Sequence, residues 1–266
     1  MAVIVIDGQE SEFTDGTLLL DAIREQGIEL PTLCHWDGLP PYGACRLCLV
    51  EVTKGISDSP SLNGERPQIV AACTYPVEDG IEVKTTGSAA LAVRQMMLEF
   101  MLARCPESEV IQELAAGAGV MTTRFSSNGD DDELCVLCGL CVRVCRDLIG
   151  AAAIGFIDRG GNREVGTPFR IQSEACIGCG ASVAVCPTGA VQMEDLDGTR
   201  FLTTWNTSVP LHTCPECGDP FAPEPMAFLK EQVPVSAESW GLCPKCRRQG
   251  CRQPTIPPHH ASNSRI

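Results

Sequence analysis

The chain has 266 residues, a formal net charge of −14, 44% hydrophobic residues and 17 cysteines. So acidic a balance excludes the basic footprint of a nucleic-acid binder, and no apolar run reaches the roughly 20 residues of a membrane span. The opening MAVIVIDGQE lacks the basic and apolar regions of a secretory leader, so the cysteines are expected to meet a reducing cytoplasm and to hold metal rather than to pair as disulfides.

Residues 2–6 are apolar and mostly β-branched, and Asp7-Gly8 is a hairpin dipeptide, which predicts a strand, a turn and a second strand around Glu12-Phe13. Asp15 or Thr17 is placed to cap a helix running to about Gln26 and closed by Gly27, with Leu19, Leu20, Ile23 and Ile28 on its apolar side. Leu47 to Thr53 and Ile81 to Thr85 read as further strands. A small mixed sheet, one helix and a cysteine loop from Cys34 to Cys48 make residues 1–86 a β-grasp, ferredoxin-like domain.

Residues 87–132 read as a helical linker. Ser88 opens a helix to about Arg104, Pro106 sits in the first turn of a second that ends near Gly117–Gly119, and Ser126 to Asp132 has turn composition. Residues 133–195 carry a cysteine motif twice. Asp195 to Pro210 reads as a connector with a strand over Phe201 to Trp205, and residues 196–252 hold two C-x2-C pairs. The tail 253–266, with His259 and His260, is rich in Pro, Ser and His and reads as disordered.

The cysteine spacings carry the chemistry. C-x2-C-x2-C-x3-C occurs at Cys135, Cys138, Cys141 and Cys145, and recurs at Cys176, Cys179 and Cys186-Pro187 with Ser182 in the third place. Thiolate sulfur is what iron–sulfur clusters require, and in two-cluster ferredoxins the fourth cysteine of each motif crosses to the other cluster. That rule assigns Cys135, Cys138, Cys141 and Cys186 to one 4Fe-4S cluster, and Cys145, Cys176, Cys179 and Ser182 to a second. Zinc knuckles use two pairs rather than triplets, which argues against zinc here. A serine ligand leaves three outcomes open: alkoxide ligation, water on an open iron, or loss of that iron to give a 3Fe-4S centre. Cys34, Cys45, Cys48 and Cys73 share the x2 pair and the distant fourth ligand of plant-type 2Fe-2S sites, although their first interval is longer. Cys214, Cys217, Cys243 and Cys246 have the spacing of a four-cysteine zinc ribbon, with a further iron–sulfur cluster as the alternative. Cys251 is a spare thiol nearby, and Cys105 reads as a buried structural thiol. No nucleotide-binding glycine motif, nucleophile elbow or zinc-protease helix is present, and no catalytic residue is expected.

The order of these sites, with the helix RQMMLEFMLARCP and the segments ELCVLCGLCVRVC and CIGCGASVAVCPTGAV, resembles the iron–sulfur (small diaphorase) subunit of NAD-linked hydrogenases. It is also similar to the N-terminal part of the large iron–sulfur subunit of respiratory complex I and to the N-terminal domains of FeFe hydrogenases. The likeness covers about residues 1–195. It implies an α+β chain: a β-grasp 2Fe-2S ferredoxin domain, a helical linker, a bacterial-type two-4Fe-4S ferredoxin domain and a small zinc-ribbon-like addition. It further implies an electron-transfer subunit of a multi-subunit NAD(P)-linked oxidoreductase. Its partners would be a flavin subunit that oxidises NAD(P)H and a hydrogenase or formate dehydrogenase catalytic subunit, with ferredoxin joining in an electron-bifurcating version. The family's extra cluster, held by one histidine and three cysteines after the helix, is expected to be missing, because Cys105-Pro106 and Glu109 stand in its place. The interval between Cys48 and Cys73 is lengthened by GISDSPSLNGERPQ, and no cysteines remain for a hydrogenase active-site cluster. Two other readings compete: a catalytic oxidoreductase with substrate at an open iron beside Ser182, and a redox-sensing or assembly module that binds partners through its clusters and zinc ribbon.

Overall fold

A computed structural model of the protein describes residues 1–54, 67–127, 132–223 and 241–250. The body of the insert, Cys251 and the tail with His259 and His260 lie outside the described residues. The hydrophobic start forms β1 (Ala2–Ile6), paired antiparallel with β2 (Gln9–Phe13) across the Asp7-Gly8 turn. Helix α1 (Leu19–Glu25) follows, then β3 (Leu49–Lys54), β4 (Gln68–Ala71) and β5 (Ile81–Lys84). The five strands lie in the order β2-β1-β5-β3-β4, with β1 and β5 parallel. Ile4 and Ile6, on the inward face of β1, pack with Leu19, Leu20 and Ile23 of α1 and with Val50 and Val83. Period-2 and helical patterning therefore meet in one core.

The start of α1 differs from the expectation. Neither Asp15 nor Thr17 caps it: the N-cap is Leu18, in extended backbone and bridged to Pro76, while Asp15 binds the N-terminal ammonium at 3.0 Å. Pairing with the far strand region fixes the helix start, so a local cap is not needed. The strand β4, next to the polar insert, is an element the sequence pattern does not announce. Its register on β3 (Leu49↔Ala71) delivers Cys73 to the loop that carries the other three thiols.

Helix α2 runs over Ser88–Arg104 as expected. Its N-terminus has no local side-chain cap; the Glu51 carboxylate on β3 accepts the N–H groups of Ala89 (2.7 Å) and Ala90 (3.2 Å) instead. Arg94, 8% exposed, donates to the carbonyls of Leu49 and Thr85 and so ties α2 to the sheet. Helix α3 (Glu109–Gly117) begins three residues after Pro106, which sits in a preceding turn, and Ser108 is its N-cap. Leu98 and Met101 of α2 and Ile111 and Ala115 of α3 form a second core against Leu33 and Leu47 of the first cysteine loop.

The repeat region is mostly loop, with short helices α4 (Leu140–Arg143) and α5 (Ala181–Ala184) and a hairpin of β6 (Gly155–Ile157) and β7 (Glu164–Gly166). Beyond it, β8 (Glu194–Leu196), β9 (Thr199–Leu202), β10 (Thr207–Thr213) and β11 (Pro220–Pro223) form one sheet in the order β11-β10-β9-β8. The strand expected over 201–205 is corrected: β9 stops at Leu202, and a 3-10 turn over Thr203–Trp205 folds Trp205 inward to 3% exposure. Asp197-Gly198, both at positive φ, closes the β8–β9 hairpin, a turn its dipeptide favours. This sheet spans the domain boundary placed at 195/196. Helix α6 (Pro244–Gly250) is the last described element. Among the described residues no helix is long and apolar enough to cross a membrane.

Candidate metal centres

Cys34, Cys45, Cys48 and Cys73 are all at most 5% exposed. Three come from the loop between α1 and β3, the fourth from the 3-10 turn after β4. Arg46, at φ 59, turns the backbone between Cys45 and Cys48, and a Cβ on Gly43 would sit 3.1 Å from the Thr74 side chain. The Leu33 N–H donates to the Cys45 sulfur (3.5 Å) and the Cys45 N–H to the Cys34 sulfur (3.4 Å). The thiols hydrogen-bond in pairs, Cys34 with Cys45 and Cys48 with Cys73. A hydrogen bond with Cys34 pulls Cys45 down to about 6, and one with Cys73 pulls Cys48 down to about 7. Cys34 and Cys73, which keep the protons, are pushed above the usual thiol range by the same bonds and by burial. Buried thiolates with N–H donors and no carboxylates fit an iron–sulfide core better than a hard cation.

Cys135, Cys138 and Cys141 line a cavity together with Cys186, which arrives from the end of α5. Burial pushes Cys135 up, Cys138 to about 11 and Cys141 to about 12, and the charge of Cys186 adds to each. The fourth cysteine of the second motif thus lies with the first triplet. Cys145, Cys176, Cys179 and Ser182 line another cavity, also walled by Ile154, Leu202 and Trp205. The Ala153 N–H donates to the Cys145 sulfur at 3.3 Å. Gly139 (φ 77, ψ 5) and Gly180 (φ 77, ψ 0) are left-handed N-caps of α4 and α5, so Cys141 and Ser182 occupy equivalent places at 7% and 8% exposure. Both loops are tight: a Cβ on Gly139 would lie 3.1 Å from Phe156 and 3.2 Å from Tyr42, and one on Gly178 would lie 3.2 Å from Val209 and Pro223. Arg200, paired with Asp195 at 2.8 Å, also donates to the Gly178 carbonyl at 2.9 Å.

The sulfurs of Cys214, Cys217, Cys243 and Cys246 all lie within 4.8 Å of one another. Cys217 and Cys243 are 3.7 Å apart, close to the ~3.8 Å edge of a tetrahedron with Zn–S bonds of about 2.3 Å. The Cys243 N–H donates to the Cys214 sulfur at 3.4 Å and leads in lowering that thiol to about 6. The knuckle hangs from β10, which runs directly into Cys214. Cys105 is fully buried at the end of α2, and burial pushes it up to about 12. Spacing alone misses the long-range contacts of Arg94, Arg143 and Arg200, which fix the ligand loops.

Comparison with known proteins agrees with this division. Residues 2–88 match the family described as a 2Fe-2S iron-sulfur cluster binding domain, and residues 134–190 match the 4Fe-4S dicluster domain. The chain joins these two iron–sulfur domains in that order. It is similar to an NADH-quinone oxidoreductase subunit of Rhizobium meliloti, at 31% identity over 82% of this chain and 27% of the relative. NADPH-Fe(3+) oxidoreductase subunit alpha of Geobacter sulfurreducens is 31% identical over 72% of this chain and 24% of its own. The chain therefore spans about a quarter of the length of these curated relatives. Among solved structures, a chain of the NAD+-reducing NiFe hydrogenase in the H2-reduced state superposes with a TM-score of 0.51 at 25% identity, covering 62% of this chain and 74% of that one.

Proposed function

We propose that the protein is an electron-transfer subunit of a multi-subunit NAD(P)-linked oxidoreductase of hydrogenase or formate dehydrogenase type, residing in the cytoplasm. Cys34, Cys45, Cys48 and Cys73 hold a 2Fe-2S cluster. Cys135, Cys138, Cys141 and Cys186 hold a 4Fe-4S cluster, and Cys145, Cys176 and Cys179, with Ser182 at the fourth corner, hold a second. Cys214, Cys217, Cys243 and Cys246 hold a structural zinc. When bound, the iron–sulfur groups accept and pass single electrons. The chain's own residues bury the thiolates, direct N–H groups at their sulfurs and exclude water with Leu202, Trp205 and the α2–α3 core. Those N–H groups and the burial set the potentials.

The observation that carries this reading is the contiguity of the ligand groups. Cys138 packs in the same apolar cluster as Cys34 and Cys45, and Cys141 and Cys145 belong to one continuous helical segment. An electron entering at one loop has short steps to the next. The family resemblance implies the partners: a flavin subunit exchanging electrons with NAD(P)H and a separate catalytic subunit, with ferredoxin as third participant where electrons are bifurcated. Anaerobic purification of the tagged chain from its host, with identification of the bound proteins, tests this. The expected result is a brown complex that contains a flavoprotein and in which NADH or NADPH reduces the EPR-visible clusters. A colourless protein containing only zinc would sink the proposal.

A further inference from the structure

Arg143 stands between Cys141 and Cys145, yet its side chain leaves the repeat region altogether. At 5% exposure, its guanidinium donates to the carbonyl oxygen of Cys34 at 2.9 Å and to that of Pro40. The ring of Tyr42 lies 4.9 Å from the guanidinium carbon. None of the ion pairs described in the structure includes Arg143. A guanidinium keeps its charge at any physiological pH, and burying one without an anion is costly. Asp147, one turn on, feels the Arg143 charge from the solvent side, and the ligand groups of two sites lie on either side of the guanidinium's carbonyl partners. Four thiolates around an iron–sulfide core carry a net negative charge, and it grows by one on reduction.

We propose that Arg143 is the electrostatic bridge between the 2Fe-2S site and the first 4Fe-4S site, fixing the junction of the two ligand loops and making the 2Fe-2S site easier to reduce. This rests on the relay reading above and deepens it. The planar fork aims separate N–H donors at two backbone carbonyls on one loop in fixed directions, a preorganisation that a flexible ammonium lacks. Leu39, beside Pro40, packs on Leu140 and Val144, so the same short loop is held by apolar contact as well. Positioning therefore has two components; Arg143 shares the buried positive charge around this site with Arg94, which faces Cys48. An opposite charge favours the more negative of two states, and the low dielectric of the junction strengthens that preference.

The test compares the full-length wild type with Arg143→Gln and Arg143→Lys, purified anaerobically, with iron content measured and each cluster's potential titrated by EPR. Gln keeps a hydrogen-bond donor and removes the charge; Lys keeps the charge and loses the fork. The 2Fe-2S centre in R143Q is expected to become about tenfold harder to reduce, a downward shift of about 59 mV for one electron, with R143K staying close to the wild type. Equal potentials in all three proteins, or equal shifts in both variants, would overturn the inference alone. If R143Q fails to load iron, Arg143→Met takes its place beside R143K: a tenfold loss in the Met variant with R143K near the wild type supports the charge role, and equal potentials, or a tenfold loss in R143K, overturn it. A wild type that contains no iron would overturn this inference together with the relay reading.

Discussion

At the scale of single residues, Ser182 and Arg94 make the sharpest statements. Ser182 occupies the place that Cys141 has in the other half of the repeat, behind the same left-handed glycine. A hydroxyl is a harder and weaker iron ligand than a thiolate, so on the proposed ligation that corner is the one expected to be labile. One-electron oxidation of the wild type is expected to release about one iron per chain as Fe2+ and to produce a 3Fe-type EPR signal. Ser182→Cys should retain its iron and give no such signal under the same oxidant. Arg94 answers to a different force. Its guanidinium satisfies two buried carbonyls, on Leu49 and Thr85, and truncation leaves them without a donor. Arg94→Met is expected to cost about 2–4 kcal/mol, read as a lowered urea midpoint in the absence of oxygen.

Elements are placed here by contacts between distant segments as much as by their own ends. Helix α2 begins at Ser88 without a cap of its own, because a carboxylate 38 residues away in sequence supplies one. Gly87 leaves the room: a Cβ there would lie 2.2 Å from the carboxylate carbon of Glu51. Gly87→Ala is therefore expected to displace Glu51, expose the first turn of α2 and cost about 1–3 kcal/mol. Faster amide exchange at Ala89 and Ala90 would be its local signature, and unchanged exchange would refute it. The same dependence on distant contacts decides what is legible in the sequence. The limits of α2 follow from its residues, and the grouping of the thiols follows from the spacing and the crossover rule. Leu18 pairing with Pro76 and the inward turn of Trp205, packed with Cys141, Val142 and Ile154, each depend on partners far along the chain. No window of sequence contains both halves of such a contact. The β8–β9 hairpin is signalled by Asp197-Gly198, but the dipeptide lies in a stretch whose composition reads as a connector.

For the whole molecule, the sheet of β8 to β11 links the C-terminal thiols to the Ser182 site. Val209 on β10 and Pro223 on β11 press on Gly178, and Arg200 on β9 holds its carbonyl. The far end of β10 runs into Cys214. Cys246→Ser is expected to lose the C-terminal metal and, with it, the iron of the Cys145–Cys176–Cys179 site, about four atoms per chain. The visible spectrum of the 2Fe-2S site should remain. Elemental analysis showing full iron after loss of the C-terminal metal would separate the two regions.

The crossing of Cys186 to the first triplet also sets a timetable for synthesis. On the proposed ligation, the 2Fe-2S ligands are complete once the ribosome has passed Cys73, whereas neither four-iron set closes until the second motif has emerged, more than a hundred residues later. A growing chain thus exposes Cys135, Cys138, Cys141 and Cys145 as unmatched thiols from their emergence until Cys186 follows, about forty residues after Cys145. On that ligation the 2Fe-2S site is competent for loading well before the chain is finished, whereas the two four-iron sites become competent together.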